Sequence, residues 1–307
     1  MKAAFIFSGQ GAQCVGMGKD LTEHSPAAAA VFREADTVLD WSVSDVCFNG
    51  PAEKLTESQY CQPSIYTTSA ACLAAFLEKY PGVNPVAAAG LSLGEYAALY
   101  CAGCFDFATG LRLLEQRARF MGEACAETAG TMASVLGGDP EVIREVCKEC
   151  DIDVANYNCP GQIVISGVRD RVAKASEILK GKGVKRVIPL NVAGAFHSRL
   201  MKGAGEKLGG VLGGVEIAAP RIAVAQNYPG DLVSNGEEIR ENLIRQVAGS
   251  VRWEECVRAM ARETGADTFI EFGPGSVLSG LVRKIDSSLR IFNVSCTADL
   301  EKITFED

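Results

Sequence analysis

Short β-rich runs alternate with amphipathic helical patterns along most of the chain, and this alternation limits the folds open to it. The apolar runs that predict strands are 2–7, 86–89, 131–136, 162–166, 184–189, 222–225 and 268–272. The segments with apolar residues at three-to-four spacing, which predict helices, are 63–79, 106–125, 170–180, 236–247 and 253–263. Strands that alternate with helices pair through crossover connections, so the pattern predicts an α/β fold with a mostly parallel sheet.

The middle of the chain departs from this simple alternation. Between residues 127 and 193 the order is strand, helix, strand, strand, helix, strand, which predicts a ferredoxin-like (βαββαβ) unit. We expect residues 127–193 to be a small domain inserted into a large α/β-hydrolase-like catalytic domain formed by residues 1–126 and 194–307. Ligand-binding clefts often lie at domain interfaces, so residues just after the insertion are candidates for the functional site. His197 is among them.

Composition and charge exclude several classes of protein. Of 307 residues, 48% are apolar and 22% are charged, which indicates a globular chain and argues against disorder or a coiled coil. Thirty basic and 38 acidic residues give a net charge of −8, so we expect neither nucleic acid nor a membrane as a partner. An acidic ligand therefore needs a local cation.

The apolar stretches predict the compartment. The first one, residues 3–7, is shorter than the roughly 7–15 residues of a secretory signal core. None approaches the roughly 18–20 residues of a membrane span, so we expect a cytoplasmic protein.

The chain contains twelve cysteines, which we expect to be mostly buried thiols in a reducing cytosol. Two CxxC pairs, Cys101 with Cys104 and Cys147 with Cys150, raise the alternative of a non-catalytic metal- or partner-binding protein. Neither pair has the glycine-rich knuckle of a zinc ribbon, so we predict no metal site.

The motif GLSLG at residues 90–94 follows a predicted strand and precedes a predicted helix. In that context GxSxG is typical of a nucleophile elbow that exposes Ser92. A second glycine-rich turn, SGQGAQ at residues 8–13, lacks the spacing of a phosphate-binding loop, and we predict no cofactor. We expect the backbone N–H groups of Gln10 and Leu93 to stabilise an oxyanion.

A serine nucleophile needs a base, and the chain has only two histidines. His24 lies in a polar stretch before a proline, whereas His197 lies between a predicted strand and a predicted helix, so we predict that His197 is the base. Arg117, in the helical segment LLEQRARFMGEA, is a candidate clamp for a substrate carboxylate if the acyl group is a diacid, with Arg119 as the alternative.

Several segments, in this order and across nearly the whole chain, resemble the malonyl-CoA:acyl carrier protein transacylase family. They are GQGAQ, GLSLGEY, EQRARFM, NYNCPGQIVISG, GAFHSRLM, RQVAGSVRW and EFGPGSVLSGL. The resemblance implies a ping-pong reaction in which a malonyl group passes from CoA to a serine and then to the phosphopantetheine thiol of an acyl carrier protein. It also implies a monomer that supplies fatty acid or polyketide synthesis. The main alternative is a serine esterase or hydrolase of the same scaffold, which would use water as the acceptor and would not need Arg117.

The resemblance assigns roles to individual residues. It implies Ser92 as nucleophile, His197 as base, Arg117 as the malonyl carboxylate ligand, Gln10 and Leu93 as oxyanion donors, and a carbonyl around Gln246 that orients the base. Phe196 resembles the bulky residue that malonyl-selective members place before the base, and pocket shape discriminates a methylene by about 1–3 kcal/mol. Leu91 stands where the family commonly has His, so a polar contact is absent there; we expect the chemistry to survive.

Carrier proteins are acidic, so docking on this acidic chain needs a local basic patch. Two clusters could provide it. One contains Lys180, Lys182, Lys185 and Arg186, and the other contains Arg283 and Lys284. The resemblance points to Lys185, Arg186, Arg283 and Lys284.

Overall fold

A computed structural model describes residues 1–305, and its strands form two separate sheets. The strands are β1 (Ala3–Phe7), β2 (Pro85–Gly90), β3 (Gly130–Leu136), β4 (Asp153–Cys159), β5 (Gln162–Val168), β6 (Arg186–Pro189), β7 (Ala223–Gln226), β8 (Asp231–Val233), β9 (Thr268–Phe272) and β10 (Arg290–Val294).

Fourteen α-helices pack around the sheets within the described residues. They are α1 (Lys19–His24), α2 (Pro26–Val38), α3 (Val43–Asn49), α4 (Ala52–Thr56), α5 (Ser58–Lys79), α6 (Gly94–Cys101), α7 (Phe107–Glu127), α8 (Pro140–Glu149), α9 (Arg169–Gly181), α10 (Lys202–Leu212), α11 (Gly236–Ala248), α12 (Trp253–Ala259), α13 (Val277–Ile285) and α14 (Thr297–Lys302). A 3₁₀ turn at Arg199–Met201 precedes α10, and a π turn at Met260–Thr264 follows α12.

The larger sheet has the strand order β10-β9-β1-β2-β7-β8, and only the edge strand β8 is antiparallel to its neighbour within the described residues. The central strand β1 reads AAFIF and is buried throughout, as expected for a parallel strand covered on both faces. Phe7 pairs with Gly90, so the carboxyl ends of β1 and β2 lie side by side. Ligands commonly bind at this edge of a parallel sheet, where the strand order diverges.

The smaller sheet is antiparallel, with the order β4-β5-β3-β6 and helices α8 and α9 packed on one face. Its strand β4 also touches the chain that follows α11. The Val251 N–H donates to the Ala155 carbonyl at 2.8 Å, and the Tyr157 N–H donates to the Val251 carbonyl at 2.8 Å. These bonds connect the smaller sheet to the segment between α11 and α12.

The predicted α/β class with a mostly parallel sheet is confirmed, while several element boundaries differ. Helix α5 begins at Ser58, whereas the sequence pattern predicted a start at Pro63, because proline usually marks a first helical turn. The predicted helix 253–263 leaves α-helical geometry after Ala259. Strands β8 and β10 were not predicted, since short edge strands have little apolar alternation.

The 22-residue helix α5 runs through the core, yet it carries buried polar side chains such as Gln62 and Thr67.

No helix within residues 1–305 is both long and apolar enough to span a bilayer. The division into domains stays a prediction, and the predicted large domain includes residues 306–307, which lie outside the described residues.

Candidate active site

Ser92 sits on a sharp turn between β2 and α6. Its φ is 56°, a left-handed conformation that is uncommon for a residue with a side chain and is typical of a functional turn. A Cβ at Gly90 would lie 2.0 Å from the Gly94 backbone, and one at Gly94 would lie 2.3 Å from the Phe7 carbonyl oxygen. The two glycines of GLSLG therefore allow the close backbone approach that this turn requires.

His197 lies next to Ser92. Its Nε2 is 2.7 Å from Ser92 Oγ, and its Nδ1 is 2.8 Å from the Gln246 carbonyl oxygen. A carbonyl only accepts hydrogen bonds, so Nδ1 carries the proton and Nε2 is left to accept the serine proton. His24 is exposed on α1, with its Nδ1 2.8 Å from the Asp20 carbonyl oxygen, and takes no part in this arrangement.

The imidazole of His197 is 5% exposed, and burial lowers its pKa to about 4, with a further contribution from the positive charge of Arg117. Both effects disfavour the imidazolium ion. His197 is therefore neutral at physiological pH and able to accept a proton.

We expect the rate of Ser92 acylation to be independent of pH from about pH 5.5 to 8, because His197 stays neutral over this range. The rate should fall only as the pH drops through about 4, where the imidazole takes up a proton. Single-turnover acylation after a pH jump measures this. A roughly tenfold rise between pH 5.5 and 7.5 would instead indicate an ordinary histidine pKa of about 6.5.

Arg117 reaches the site from α7 and is 1% exposed. Its Nη2 donates to Ser92 Oγ at 3.0 Å and to Gln246 Oε1 at 2.9 Å, while its Nη1 donates to Gln62 Oε1 at 2.6 Å. Within residues 1–305 its guanidinium pairs with no carboxylate, and its Nε has no acceptor. Arg119, the alternative from the same helix, is exposed and bonds to Gln116.

Gln246 contacts every member of this group. Besides the carbonyl that faces His197, its side-chain Nε2 donates to the Ser92 carbonyl at 3.0 Å, and its Oε1 accepts from Arg117. Sequence reasoning predicted only the carbonyl, and it missed Gln62 altogether. The start of α5 reads SQYCQPS and is largely polar, so nothing in the sequence distinguished Gln62 from its neighbours.

A second set of buried polar residues is hydrogen-bonded to the elbow. Sequence reasoning missed this set as well. The Ser92 N–H donates to Asn227 Oδ1 at 2.6 Å, and Asn227 Nδ2 donates to the Gly90 carbonyl at 2.8 Å. Glu95 accepts from the Asn227 N–H at 2.6 Å and from Gln226 Nε2 at 2.9 Å. Burial raises the pKa of Glu95 to about 7. The signals were a charged residue in an apolar helix and two amides at the end of β7.

The backbone N–H groups of Gln10 and Leu93 lie on the two adjoining turns. A Cβ at Gly9 would lie 2.6 Å from the Leu91 carbonyl oxygen, so the loop after β1 touches the elbow. Neither the Gln10 nor the Leu93 N–H donates a hydrogen bond to any residue in the range 1–305. Both donors are thus available to a ligand at this point.

A cavity of about 580 Å³ opens above Ser92, between the carboxyl edge of the larger sheet and one face of the smaller sheet. Ser92, His197, Leu91, Phe196 and Gln10 all line it. Its size and its apolar walls suit a small-molecule ligand. Further lining residues are Glu53 and Glu57 at one side and Ser134, Asn156, Asn158 and Gln162 on the smaller sheet.

The predicted basic residues lie outside this cavity and are exposed; they are Lys185, Arg186, Arg283 and Lys284. Lys185 packs over Gly137, whose N–H donates to the Gly161 carbonyl in the turn between β4 and β5. Lys284 lies close enough to act electrostatically on Cys159, at the start of the same turn. The two clusters therefore flank one turn.

The cysteines form no metal site within residues 1–305, where no group of three or more potential ligands could hold an ion. All twelve are free thiols. Burial raises the pKa of Cys101 and Cys147 to about 12, so both remain protonated and unreactive. The alternative built on the CxxC pairs is not favoured.

Comparison with known proteins gives the same family throughout. Residues 4–296 match the acyl transferase domain family. The malonyl CoA-acyl carrier protein transacylase of Bacillus subtilis (strain 168) is 44% identical over 305 residues, which cover 98% of this chain and 95% of the relative. The acyl-carrier-protein S-malonyltransferase from Burkholderia pseudomallei 1710b has a TM-score of 0.94 and 40% identity, covering 98% of this chain and 99% of the other.

A further solved structure is a type II polyketide synthase acyl-carrier protein in complex with its malonyl-transacylase, with a TM-score of 0.94 and 38% identity over 98% of each chain. These matches extend over nearly the whole chain and confirm the family predicted from its motifs. The protein belongs to the malonyl-CoA:acyl carrier protein transacylase family of acyltransferases.

Proposed function

We propose that this protein transfers a malonyl group from CoA to the phosphopantetheine thiol of an acyl carrier protein through a malonyl ester on Ser92. Ser92 Oγ attacks the thioester carbonyl while its proton passes to His197 Nε2, and the Gln10 and Leu93 N–H groups stabilise the oxyanion. The CoA thiolate leaves with that proton. In the second half-reaction the carrier thiol gives its proton to His197 and attacks the ester, and Ser92 recovers its proton.

The observation that carries this proposal is the buried guanidinium of Arg117 beside Ser92. A buried charge without a directly paired counter-ion is costly, and the three side chains that accept hydrogen bonds from this one are neutral. The buried carboxyl of Glu95 acts on it electrostatically but forms no ion pair with it among the described residues. A malonyl group on Ser92 would bring a carboxylate to this cation. A hydrolase of neutral esters has no use for such a cation, which disfavours the esterase alternative.

Phe196 and Leu91 border the acyl position in this proposal. Phe196 is 6% exposed and lines the cavity, so its ring restricts the space beside the base. We propose that it disfavours acyl groups with an α-methyl branch. Leu91 supplies an apolar wall there.

The carrier protein docks, in our proposal, on the exposed cations around the β4–β5 turn: Lys185, Arg186, Arg283 and Lys284. None of the four pairs with a carboxylate within residues 1–305, so all are available to an acidic partner. A solved relative that is a complex with its acyl-carrier protein supports this kind of assembly.

Reversing one of these charges, Lys284→Glu, should raise the KM for the carrier protein about tenfold. The rate of acylation by malonyl-CoA should not change, because the Ser92 site is untouched. Lys180→Glu changes the net charge equally but removes a lysine already paired with Glu177, so it serves as the control. An unchanged carrier KM in Lys284→Glu would contradict the docking site.

One experiment tests the function itself. The protein is mixed with malonyl-CoA and a carrier protein bearing its phosphopantetheine arm, and malonyl-carrier, free malonate and malonyl-enzyme are quantified by mass spectrometry. We expect malonyl-carrier as the main product. Malonate as the main product would favour the hydrolase.

The proposal has a structural side as well. The order β3-α8-β4-β5-α9-β6 and the strand order of the smaller sheet support a ferredoxin-like inserted domain at residues 127–193, beside a hydrolase-like large domain. We place the reaction in the cytoplasm, in fatty acid or polyketide synthesis, with a monomer as the working unit and neither nucleic acid nor membrane as a partner. Twelve free thiols suit a reducing compartment.

A further inference from the structure

The backbone N–H groups of the elbow have different partners. The Leu91 N–H donates to the Phe7 carbonyl at 3.1 Å, and the Gly94 N–H donates to the Leu91 carbonyl at 3.0 Å. The Leu93 N–H has no acceptor within residues 1–305 and is one of the two oxyanion donors in the proposed function. The Ser92 N–H is the exception, because its acceptor is a side chain.

That side chain belongs to Asn227, which follows β7 and is fully buried. The Ser92 N–H donates to Asn227 Oδ1 at 2.6 Å, and Asn227 Nδ2 donates to the Gly90 carbonyl at 2.8 Å. An N–H group only donates and a carbonyl only accepts, so these two partners decide which way round the amide lies. One side-chain amide therefore bridges the peptide groups on both sides of Leu91.

Asn227 is itself held in place by its own backbone. Its N–H donates to Glu95 Oε2 at 2.6 Å, and its carbonyl accepts from the Arg252 N–H at 2.9 Å. Asn227 is not among the described residues that line the cavity above Ser92. Any effect of this side chain on the reaction must therefore pass through the elbow.

The peptide group that follows Ser92 is held by a different amide. The Ser92 carbonyl accepts from Gln246 Nε2 at 3.0 Å. In a trans peptide the carbonyl and the next N–H point in opposite directions, so this bond orients the Leu93 N–H. Asn227 holds the peptide group before Ser92. The two amides together hold Ser92 at its φ of 56° and fix the direction of the Leu93 N–H.

We propose that Asn227 is a positioning residue for the oxyanion site. By holding the peptide group before Ser92, it keeps Ser92 Oγ beside His197 and keeps the Leu93 N–H directed at the developing oxyanion. This inference rests on the proposed function and adds a residue that acts without touching the substrate. Its effect should be equal for acyl groups with and without a carboxylate, whereas loss of Arg117 should affect malonyl far more than acetyl.

The test compares Asn227→Leu, which is similar in shape but lacks the amide, with the matched control Asn242→Leu. Asn242 is buried, donates to Gln226 Oε1 at 3.0 Å, and forms no bond to the elbow within residues 1–305. In Asn227→Leu the maximal rate of Ser92 acylation should fall about 10²-fold with malonyl-CoA and with acetyl-CoA, as when one oxyanion donor is lost. The KM for malonyl-CoA should stay within about threefold of wild type, and Asn242→Leu should retain the wild-type rate.

A spectroscopic measurement separates orientation of the donor from stability of the fold. The carbonyl of the malonyl ester on Ser92 is labelled with ¹³C, and its stretching frequency is measured by difference infrared spectroscopy. Hydrogen bonds from the oxyanion donors polarise this carbonyl and lower the frequency. We expect a higher frequency in Asn227→Leu and the wild-type frequency in Asn242→Leu. The Tm of both variants is recorded, and Asn227→Ala, which places no apolar group against the Gly90 carbonyl, is measured in parallel.

A loss confined to KM, equal losses in Asn227→Leu and Asn242→Leu, or an unshifted carbonyl frequency would overturn the positioning role. Failure of both Asn227 variants to fold would overturn it too, because the amide would then be needed for the fold itself. If the wild-type protein does not load malonyl onto Ser92, the proposed function fails and this inference fails with it. The wild-type reaction therefore distinguishes the two failures.

Discussion

Ser92→Ala should reduce malonyl transfer by on the order of 10⁴-fold or more and abolish the malonyl-enzyme. In the proposed reaction the malonyl group forms a covalent ester on this hydroxyl, and His197, the proposed base, is hydrogen-bonded to Ser92 and to the Gln246 carbonyl. The measurement is transfer to the carrier together with mass spectrometry of the peptide that contains residue 92. Wild-type protein should show one malonyl adduct on that peptide, and the variant none.

The control for this substitution is Ser288→Ala, which removes an exposed serine hydroxyl whose one partner among the described residues is Asp286. It should retain wild-type transfer. Full transfer by Ser92→Ala, or a malonyl adduct on another peptide of the wild-type protein, would contradict the assigned nucleophile.

The parts of the site that the sequence predicts are those encoded locally. GLSLG contains both the serine and the glycines that permit its left-handed turn, so five consecutive residues are enough to predict the elbow. His197 could be selected because the only other histidine lies in a polar stretch. In contrast, the bonds of Gln62 to Arg117 and of Asn227 to the Ser92 N–H join residues 55 and 135 positions apart. Only the fold brings these side chains together.

The same distinction applies to the fold. The buried strand β1 is a continuous apolar run, and β9, which reads TFIEF, is rich in β-branched and aromatic residues; the sequence predicts both to within a residue. The edge strand β10 reads RIFNV and is only partly buried, so its pattern is weak. Pro63 lies inside α5 because tertiary packing along a mostly buried helix outweighs a local preference for the first turn.

The predicted carbonyl of Gln246 also explains how the proposed dyad could work without an acid behind the histidine. Gln246 orients His197 through a neutral carbonyl, so no negative charge stabilises the imidazolium, and burial keeps its pKa near 4. The positive charge of Arg117 acts in the same direction. A bound malonyl carboxylate would offset that charge and make His197 a stronger base at the moment when the proton must move.

Arg117→Ala should lower kcat/KM for malonyl transfer by on the order of 10³-fold, as expected when one partner of a buried charged pair is removed. Transfer from acetyl-CoA, whose acyl group has no carboxylate, should lose far less, so the preference for malonyl over acetyl should collapse. Both donors are compared at limiting concentration with the same carrier protein. This loss of selectivity is the result that a merely structural role for Arg117 would not produce.

Arg119→Ala is the matched control, since it removes an equal charge from the same helix at an exposed position two residues away. It should leave both rates unchanged. Equal losses with malonyl-CoA and acetyl-CoA in Arg117→Ala would mean that the arginine only supports Ser92 and Gln246, which it also contacts. Among the groups that contact Ser92 Oγ within residues 1–305, Arg117 alone carries a fixed positive charge. Undiminished malonyl transfer by Arg117→Ala would therefore mean that the carboxylate is bound away from Ser92 Oγ.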